Sequence, residues 1–234
     1  MNPELKMLIE QSEKIVFFGG AGVSTESGLP DFRSADGIYG QKYQYPPEYI
    51  LSRRFFYEHT EEFYLFYRER MLYPDAKPNK AHIAVATLER KGKLSAVITQ
   101  NIDGLHQKAG SSNVLELHGS VNRNYCIECK KEYPLDTITA SAGVPQCTCG
   151  GIIKPDVVLY GEQLDENVVA HSVEALRSSD LLIIGGTSLS VYPAAGLISY
   201  FRGKNTVVIN KTPTLADRDA TLVLSSPIGD VLGD

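Results

Sequence analysis

Four cysteines constrain this chain more than any other feature: Cys126-x2-Cys129, a seventeen-residue interval, then Cys147-x-Cys149. They are all the cysteines it has. Two close pairs joined by a short insert suit a tetrahedral thiolate cage for zinc, because each pair closes a knuckle and the insert brings the knuckles together. Four thiolates leave no open coordination position, so such an ion would hold structure and would not activate water. The second pair has one spacer residue, Thr148, and Gly150-Gly151 follows it to supply a tight backbone. Two disulfides are the competing reading. No apolar leader precedes Glu4-Leu5-Lys6, and no stretch approaches the ~20 apolar residues of a membrane span. The expected compartment is therefore a reducing cytoplasm, where such cysteines bind metal more often than they pair.

With 234 residues, 43% of them hydrophobic and 22% charged, the chain can bury a full core. Its net charge of -5 argues against broad nucleic-acid binding, which needs a strong positive field. Short, apolar, β-rich runs at residues 14–18, 94–99, 180–185 and 206–210 alternate with helical patterns at 80–90, 165–178 and 193–201. That alternation predicts an α/β fold with a parallel sheet covered on both faces. Residues 34–79, rich in Tyr and Phe, and 121–155, which carry the cysteines, break the rhythm. They read as insertions forming a second lobe, with a ligand cleft between it and the sheet.

Gly19-Gly20-Ala21-Gly22-Val23-Ser24-Thr25 follows the first strand and is expected to open a helix. Glycines there let backbone approach a pyrophosphate. The dehydrogenase fingerprint would need glycine where Thr25 stands, and the next acidic residue, Asp36, falls in a loop instead of ending a second strand. The chain reads as a dinucleotide binder of another kind.

The motifs Gly20-Ala21-Gly22-Val23-Ser24, Gly28-Leu29-Pro30-Asp31-Phe32-Arg33, Thr99-Gln100-Asn101-Ile102-Asp103 and His118-Gly119 then occur in order. The four cysteines, Lys154-Pro155-Asp156-Val157-Val158 with Tyr160-Gly161-Glu162, Gly186-Thr187-Ser188-Leu189-Ser190-Val191, and Asn210 continue the series. Together they resemble the sirtuin family of NAD-dependent protein lysine deacylases, in its short prokaryotic form. The resemblance implies a Rossmann-like NAD-binding domain from residues 1–33, 80–120 and 156–234. A small domain would combine the helical insert 34–79 with the zinc module 121–155. NAD is implied as a consumed co-substrate, zinc as a structural ion, and acylated-lysine proteins or peptides as partners.

The resemblance also implies roles. The acyl oxygen attacks C1′ of the nicotinamide ribose, expelling nicotinamide and leaving an alkylimidate. His118 then acts as general base for a ribose hydroxyl, giving free lysine and O-acyl-ADP-ribose; an imidazole with a pKa near 6.5 suits that task. Asn101 orients the ribose and a water, Asp103 accepts from the nicotinamide carboxamide, and Gln100 binds ribose hydroxyls, with Ile102 beside them. Phe32, between Asp31 and Arg33, covers the nicotinamide site against water. Gly20, Ala21, Gly22, Ser24 and Thr25 form the phosphate loop. Gly186, Thr187, Ser188 and Asn210 meet ribose and phosphates, with Lys211 and Ile228 at the adenine end. Val157, Val158, Tyr160, Gly161 and Glu162 are implied to take the peptide as an added strand. Relatives preferring succinyl-lysine carry Tyr and Arg three residues apart; here those positions are Tyr64 and Tyr67, with Arg68 adjoining. Mono-ADP-ribosyl transfer and a non-catalytic zinc-ribbon module are the readings that compete with deacylation.

Overall fold

The computed structural model describes residues 2–34 and 37–233. Asp36, expected in a loop, lies outside the described residues. In chain order the strands are β1 (Ile15–Gly19), β2 (Leu94–Thr99), β3 (Val114–Glu116), β4 (Gly119–Cys126), β5 (Glu132–Pro134), β6 (Ile153–Val157), β7 (Leu181–Gly185), β8 (Asn205–Ile209) and β9 (Leu222–Leu224). Six of them form one sheet in the order β3-β2-β1-β7-β8-β9, and every neighbouring pair in it is parallel. This is the expected α/β architecture.

Why these runs become strands follows from where their side chains go. Alternate residues point to opposite faces of a strand, so a strand covered on both sides must be apolar throughout. β1 and β7 are buried at every residue. Ile15, Phe17, Leu181, Ile183 and Val207 join one core with the helix Pro3–Gln11 and the helix Lys80–Arg90. Val16, Phe18, Leu182, Ile184 and Val208 join another with Leu176 of the helix Glu166–Ser178. Each fully buried Phe contributes about 1.5–3 kcal/mol of transfer free energy. The helices start where side chains can cap them: Asn79 Oδ1 accepts from the N–H groups of Ala81 and His82, and Asp165 Oδ1 from those of Asn167 and Val168.

Two expected helices take other forms. Residues 193–201 become a 3-10 segment, Ala194–Tyr200. The phosphate loop makes two single 3-10 turns, Ala21–Val23 and Thr25–Ser27, and ends at Gly28 with φ +84°. Leu29 precedes Pro30, which disfavours helical backbone just where a longer helix would have to continue. The loop therefore presents tight turns to the cleft, with no helix dipole behind them.

The second sheet is small and antiparallel, in the order β5-β4-β6. Its residues share a core with the helical insert: Phe55, Phe56, Phe63, Tyr64 and Tyr67 cluster with Cys126, Cys147, Ile153 and Val157. β4 and β6 run across the boundaries expected at 120/121 and 155/156, so the chain passes from one layer to the other within continuous strands. Gly119 makes one of these crossings possible. Its φ is +74°, and a Cβ there would collide with the carbonyl oxygen of Asp156.

Candidate active site

β1 and β7 are neighbours in register, Gly19 beside Gly185, yet the chain leaves them towards opposite edges of the sheet. Such a reversal opens a crevice at the carboxyl ends of the strands. Here the crevice is a cleft of about 490 Å³, roofed by the second lobe. Every residue expected to bind cofactor or peptide lines it, from Gly20 to Ile228 and from Val157 to Glu162.

The floor is backbone. Gly22 donates its N–H to Gly186 O at 2.8 Å, and a Cβ on Gly22 would lie 2.8 Å from Gly186 Cα. Gly186 itself has φ +57°, and a Cβ there would collide with Val23 N. Two strand-end turns thus pack backbone to backbone, and only glycines permit this. The result is a bare surface that a bulky anionic group can approach, which fits the diphosphate of NAD. Gln100 Nε2 donates to Thr187 Oγ1 at 3.0 Å, tying the end of β2 to the turn after β7. Thr25 Oγ1 donates to Gly22 O, and Asn210 Nδ2 to Thr212 O. Ile228 is buried against the end of β7.

A denser polar cluster sits under the Asn101 segment. Ser24 Oγ donates to Asp103 Oδ2 at 2.7 Å and accepts from Asn101 Nδ2 at 3.1 Å. Asp103 Oδ1 accepts the Leu105 N–H. Ser24 thereby links two residues that the sequence reading treated separately. The cluster continues into two histidines that the reading missed. His82 Nε2 lies 3.4 Å from Ser24 Oγ, while its Nδ1 accepts the Asn79 N–H, so the neutral ring carries its proton on Nε2. His106 packs edge-on to His82 at 4.8 Å, and neither of its ring nitrogens has a hydrogen-bond partner among the described residues. Asn79 with His82 three positions on imitates a capping box, the one sequence signal that could have singled out His82.

Both rings are held neutral. Burial lowers the His82 pKa from 6.5 to about 4 against an opposing pull from Asp103. Burial, then repulsion by His82, lowers His106 to about 3. The unfolded chain takes up these protons near pH 6.5 and the folded chain does not, so their stabilisation is complete above pH 6.5. It is lost as pH falls towards 4 and then 3. The melting temperature is expected to drop steadily across that window, and His106→Phe, which removes one titrating ring, is expected to flatten the drop. Equal slopes in the variant and the parent protein, measured by thermal denaturation at a series of pH values, would refute this account.

His118 stands where β3 passes into β4, at the seam between the two layers. Its Nδ1 is 3.0 Å from Gln100 O, and a carbonyl oxygen only accepts, so Nδ1 carries the proton and Nε2 is left as acceptor. Burial lowers its pKa below the usual imidazole value, partly offset by that hydrogen bond. Beside it, Val158 donates its N–H to His118 O, Leu159 donates to Glu162 Oε2 at 2.9 Å, and Tyr160 bridges to Ser52 beyond β6. Glu162 also pairs with buried Lys154 at 3.1 Å, so its carboxylate braces the 157–162 segment from within.

The four cysteines come together as expected. Their sulfurs all lie within 4.8 Å of one another, with Cys126–Cys149 at 3.5 Å and Cys129–Cys147 at 3.6 Å. All four are free of disulfides. A regular tetrahedron of thiolates around zinc has edges of ~3.8 Å, given Zn–S bonds of about 2.3 Å. The donor set and spacing fit zinc. The Cys147 thiol is pulled down to about 6 by the Cys149 backbone N–H and the Tyr133 hydroxyl, which favours the ligating thiolate. Among the described residues no helix is long and apolar enough to cross a membrane.

Comparison with known proteins agrees with this geometry. The chain is 60% identical over 234 residues to an NAD-dependent protein deacetylase of Clostridium perfringens (strain 13 / Type A), spanning 98% of this chain and 96% of that one. It is 57% identical over 233 residues to an NAD-dependent protein deacetylase of Clostridium acetobutylicum, spanning 98% and 95%. A solved Sir2 with deacetylated p53 peptide and 3'-O-acetyl ADP ribose superposes with a TM-score of 0.90 at 41% identity, over 98% of this chain and 94% of that one. A Sir2–p53 peptide–NAD+ structure superposes with a TM-score of 0.88, also at 41% identity, over 99% and 95%. Residues 20–193 match the Sir2 family, and on this evidence the chain belongs to it.

Proposed function

We propose that this protein removes acetyl groups from protein lysines in an NAD-dependent reaction, releasing nicotinamide and O-acetyl-ADP-ribose. The observation that carries the reading is His118. Its proton is pinned on Nδ1 by Gln100 O, on a ring lining the cleft between the glycine floor and the 157–162 segment. NAD supplies the reaction with an electrophilic ribose carbon and a leaving group. His118 Nε2, neutral at pH 7, accepts the proton of a ribose hydroxyl. Asn101, fixed through Ser24, positions the ribose. Asp103 keeps acceptor lone pairs beyond those that bind Ser24 and Leu105, and these hold a carboxamide. Phe32 closes over this end, and Asp31 braces the turn by accepting from the Arg33 and Ser34 N–H groups. Gly20, Ala21, Gly22 and Gly186 give room to the diphosphate, and Thr187, Ser188, Asn210, Lys211 and Ile228 line the rest of the NAD path. The acyl-lysine peptide lies along Val157, Val158 and Tyr160.

We assign residues 34–79 and 121–155 to one small domain, a division supported by their shared aromatic core. The cytoplasm is the proposed location, supported by four free thiols in a metal-binding arrangement.

The test is direct. The protein is incubated with an acetyl-lysine peptide with and without NAD, and the products are read by mass spectrometry. NAD-dependent deacetylation with equal amounts of nicotinamide and O-acetyl-ADP-ribose is the expected result. An ADP-ribosylated protein with the peptide left acetylated would overturn the reading.

Succinyl-lysine is expected to be a poor substrate. Tyr64 and Tyr67 are fully buried, and the Tyr64 hydroxyl donates to Ile153 O. Arg68 turns to the zinc module, donating to Ile138 O at 3.0 Å and Ser141 Oγ at 2.6 Å. None of the three lines the cleft. Arg70 does, but it is paired with Glu69 at 2.9 Å. A buried acyl carboxylate would lack the bidentate partner it needs. Turnover of a succinyl peptide is expected more than about tenfold below that of its acetyl counterpart, since burying an unpaired charge costs well over the energy of one decade. Comparable kcat/KM for the two peptides would refute this.

A further inference from the structure

Tyr39 and Tyr160 meet across the cleft, their hydroxyl oxygens 2.8 Å apart. Each belongs to a different part of the machinery. On the cofactor side, Tyr39 donates its N–H to Phe32 O and Ile38 donates to Asp31 O, both at 2.9 Å. The Tyr39 ring meets Phe32 edge-on at 5.5 Å, and the Arg33 guanidinium sits 5.6 Å from its centroid. Tyr39 thus touches Phe32 and Arg33 directly, while its neighbour Ile38 holds Asp31. On the peptide side, Tyr160 is held at both backbone polar groups: its N–H donates to Leu51 O and its C=O accepts from Arg53, each at 2.9 Å. The lobe's helical insert therefore fixes Tyr160 directly.

Among the described residues, no other hydrogen bond joins the 31–40 turn to the 157–162 segment. Phenylalanine at either position would pack almost as well, so the hydroxyls contribute little besides this link. Resting on the function proposed above, we infer that the Tyr39–Tyr160 pair couples the two substrates. A peptide laid along residues 157–160 covers the exposed Tyr160 side chain and restrains its ring, Tyr160 holds the Tyr39 hydroxyl, and Tyr39 keeps Phe32 and Arg33 over the nicotinamide end. Peptide binding then tightens NAD binding, and by linkage NAD tightens peptide binding by the same factor. Tyr39 and Tyr160 are positioning residues, acting through Phe32 and Arg33. One neutral hydrogen bond is worth about two- to tenfold in an equilibrium constant.

The coupling is measured with a carbocyclic NAD analogue that cannot lose nicotinamide. Its Kd is determined by calorimetry with and without saturating acetyl-lysine peptide, in the parent protein, Tyr39→Phe, Tyr160→Phe and the double variant. In the parent the peptide is expected to tighten the analogue. In each single variant that tightening should shrink about two- to tenfold, and the double variant should lose no more than the singles, because one bond is removed in all three. An undiminished factor in either single variant overturns the proposal, as does a parent protein without coupling. Parallel turnover of acetyl peptide with NAD separates the two readings: turnover with unchanged coupling sinks the Tyr39–Tyr160 link alone. A parent that binds neither ligand and turns nothing over sinks both.

Discussion

His118→Ala is expected to cut deacetylation of an acetyl-lysine peptide by about 10²- to 10⁴-fold, the range for losing a positioned general base. The loss should fall on kcat, because the glycine floor and the Gln100–Thr187 link that shape the NAD path are untouched. The Kd of an uncleavable NAD analogue should move little. The burial of the His118 ring gives a second, independent readout. Burial lowers the His118 pKa, so the ring remains an unprotonated base below the pH at which a free imidazole would take up a proton. Activity depending on this group is present above the folded pKa and lost as pH falls through it. The acid limb of kcat/KM is therefore expected below pH 6.5, and the variant's residual activity should lack that limb. An alanine variant with parental kcat, or an acid limb centred at or above 6.5, would remove His118 from the role of base.

Much of the candidate site is legible in the sequence because it is made of short motifs at strand ends. β2 at Leu94–Thr99 and the helix Lys80–Arg90 have the expected bounds, since an apolar β-rich run and an asparagine cap leave little choice. The cysteines were legible for a similar local reason, as spacing alone sets which sulfurs can converge. What the reading missed depends on contacts between distant segments. His82 and His106 look like ordinary helical polar residues until folding stacks them under Ser24 and Asp103. Tyr39 and Tyr160 are 121 positions apart, and no periodicity connects them. The phosphate loop falls short of the expected helix, and Gly-rich turns that open helices and those that make only 3-10 turns start alike. The difference lies in Gly28-Leu29-Pro30, downstream of the motif. Arg68 shows the same limit: it adjoins the position where the resemblance places the acyl-choosing arginine, but its guanidinium spans to Ile138 and Ser141.

Removing zinc is expected to abolish activity although no ligand of the ion touches the cleft. The reason is the path of two strands. β4 begins at Gly119, next to the proposed base, and ends at Cys126, a ligand. β6 begins two residues after Gly151, whose C=O accepts the Cys147 N–H, and ends at Val157, where the proposed peptide segment starts. β4 pairs with β6 from Gly119–Val157 to Cys126–Ile153, so the knuckles anchor one end of the ladder and the seam at the proposed base the other. Structural zinc in small modules contributes about 10–16 kcal/mol of apparent binding energy. A whole domain is stable by only about 5–15 kcal/mol. The three-stranded sheet cannot replace that contribution from within, since β5 has three residues and most of its side chains are exposed. Without the ion, Cys126 and Cys147 also become unligated thiols inside the aromatic core of the lobe. A chelator strong enough to strip zinc, or Cys126→Ser, is therefore expected to eliminate deacetylation and to unfold the 121–155 module. The parallel sheet, with its separate cores, should survive and keep much of the circular dichroism. Hydrogen exchange should show protection lost in β4–β6 and retained in β1, β2 and β7. Returning stoichiometric zinc to the chelated protein should restore both protection and turnover. A metal-free protein with protected β4–β6 and unchanged turnover would show that the four sulfurs, close as they are, do not hold the lobe together.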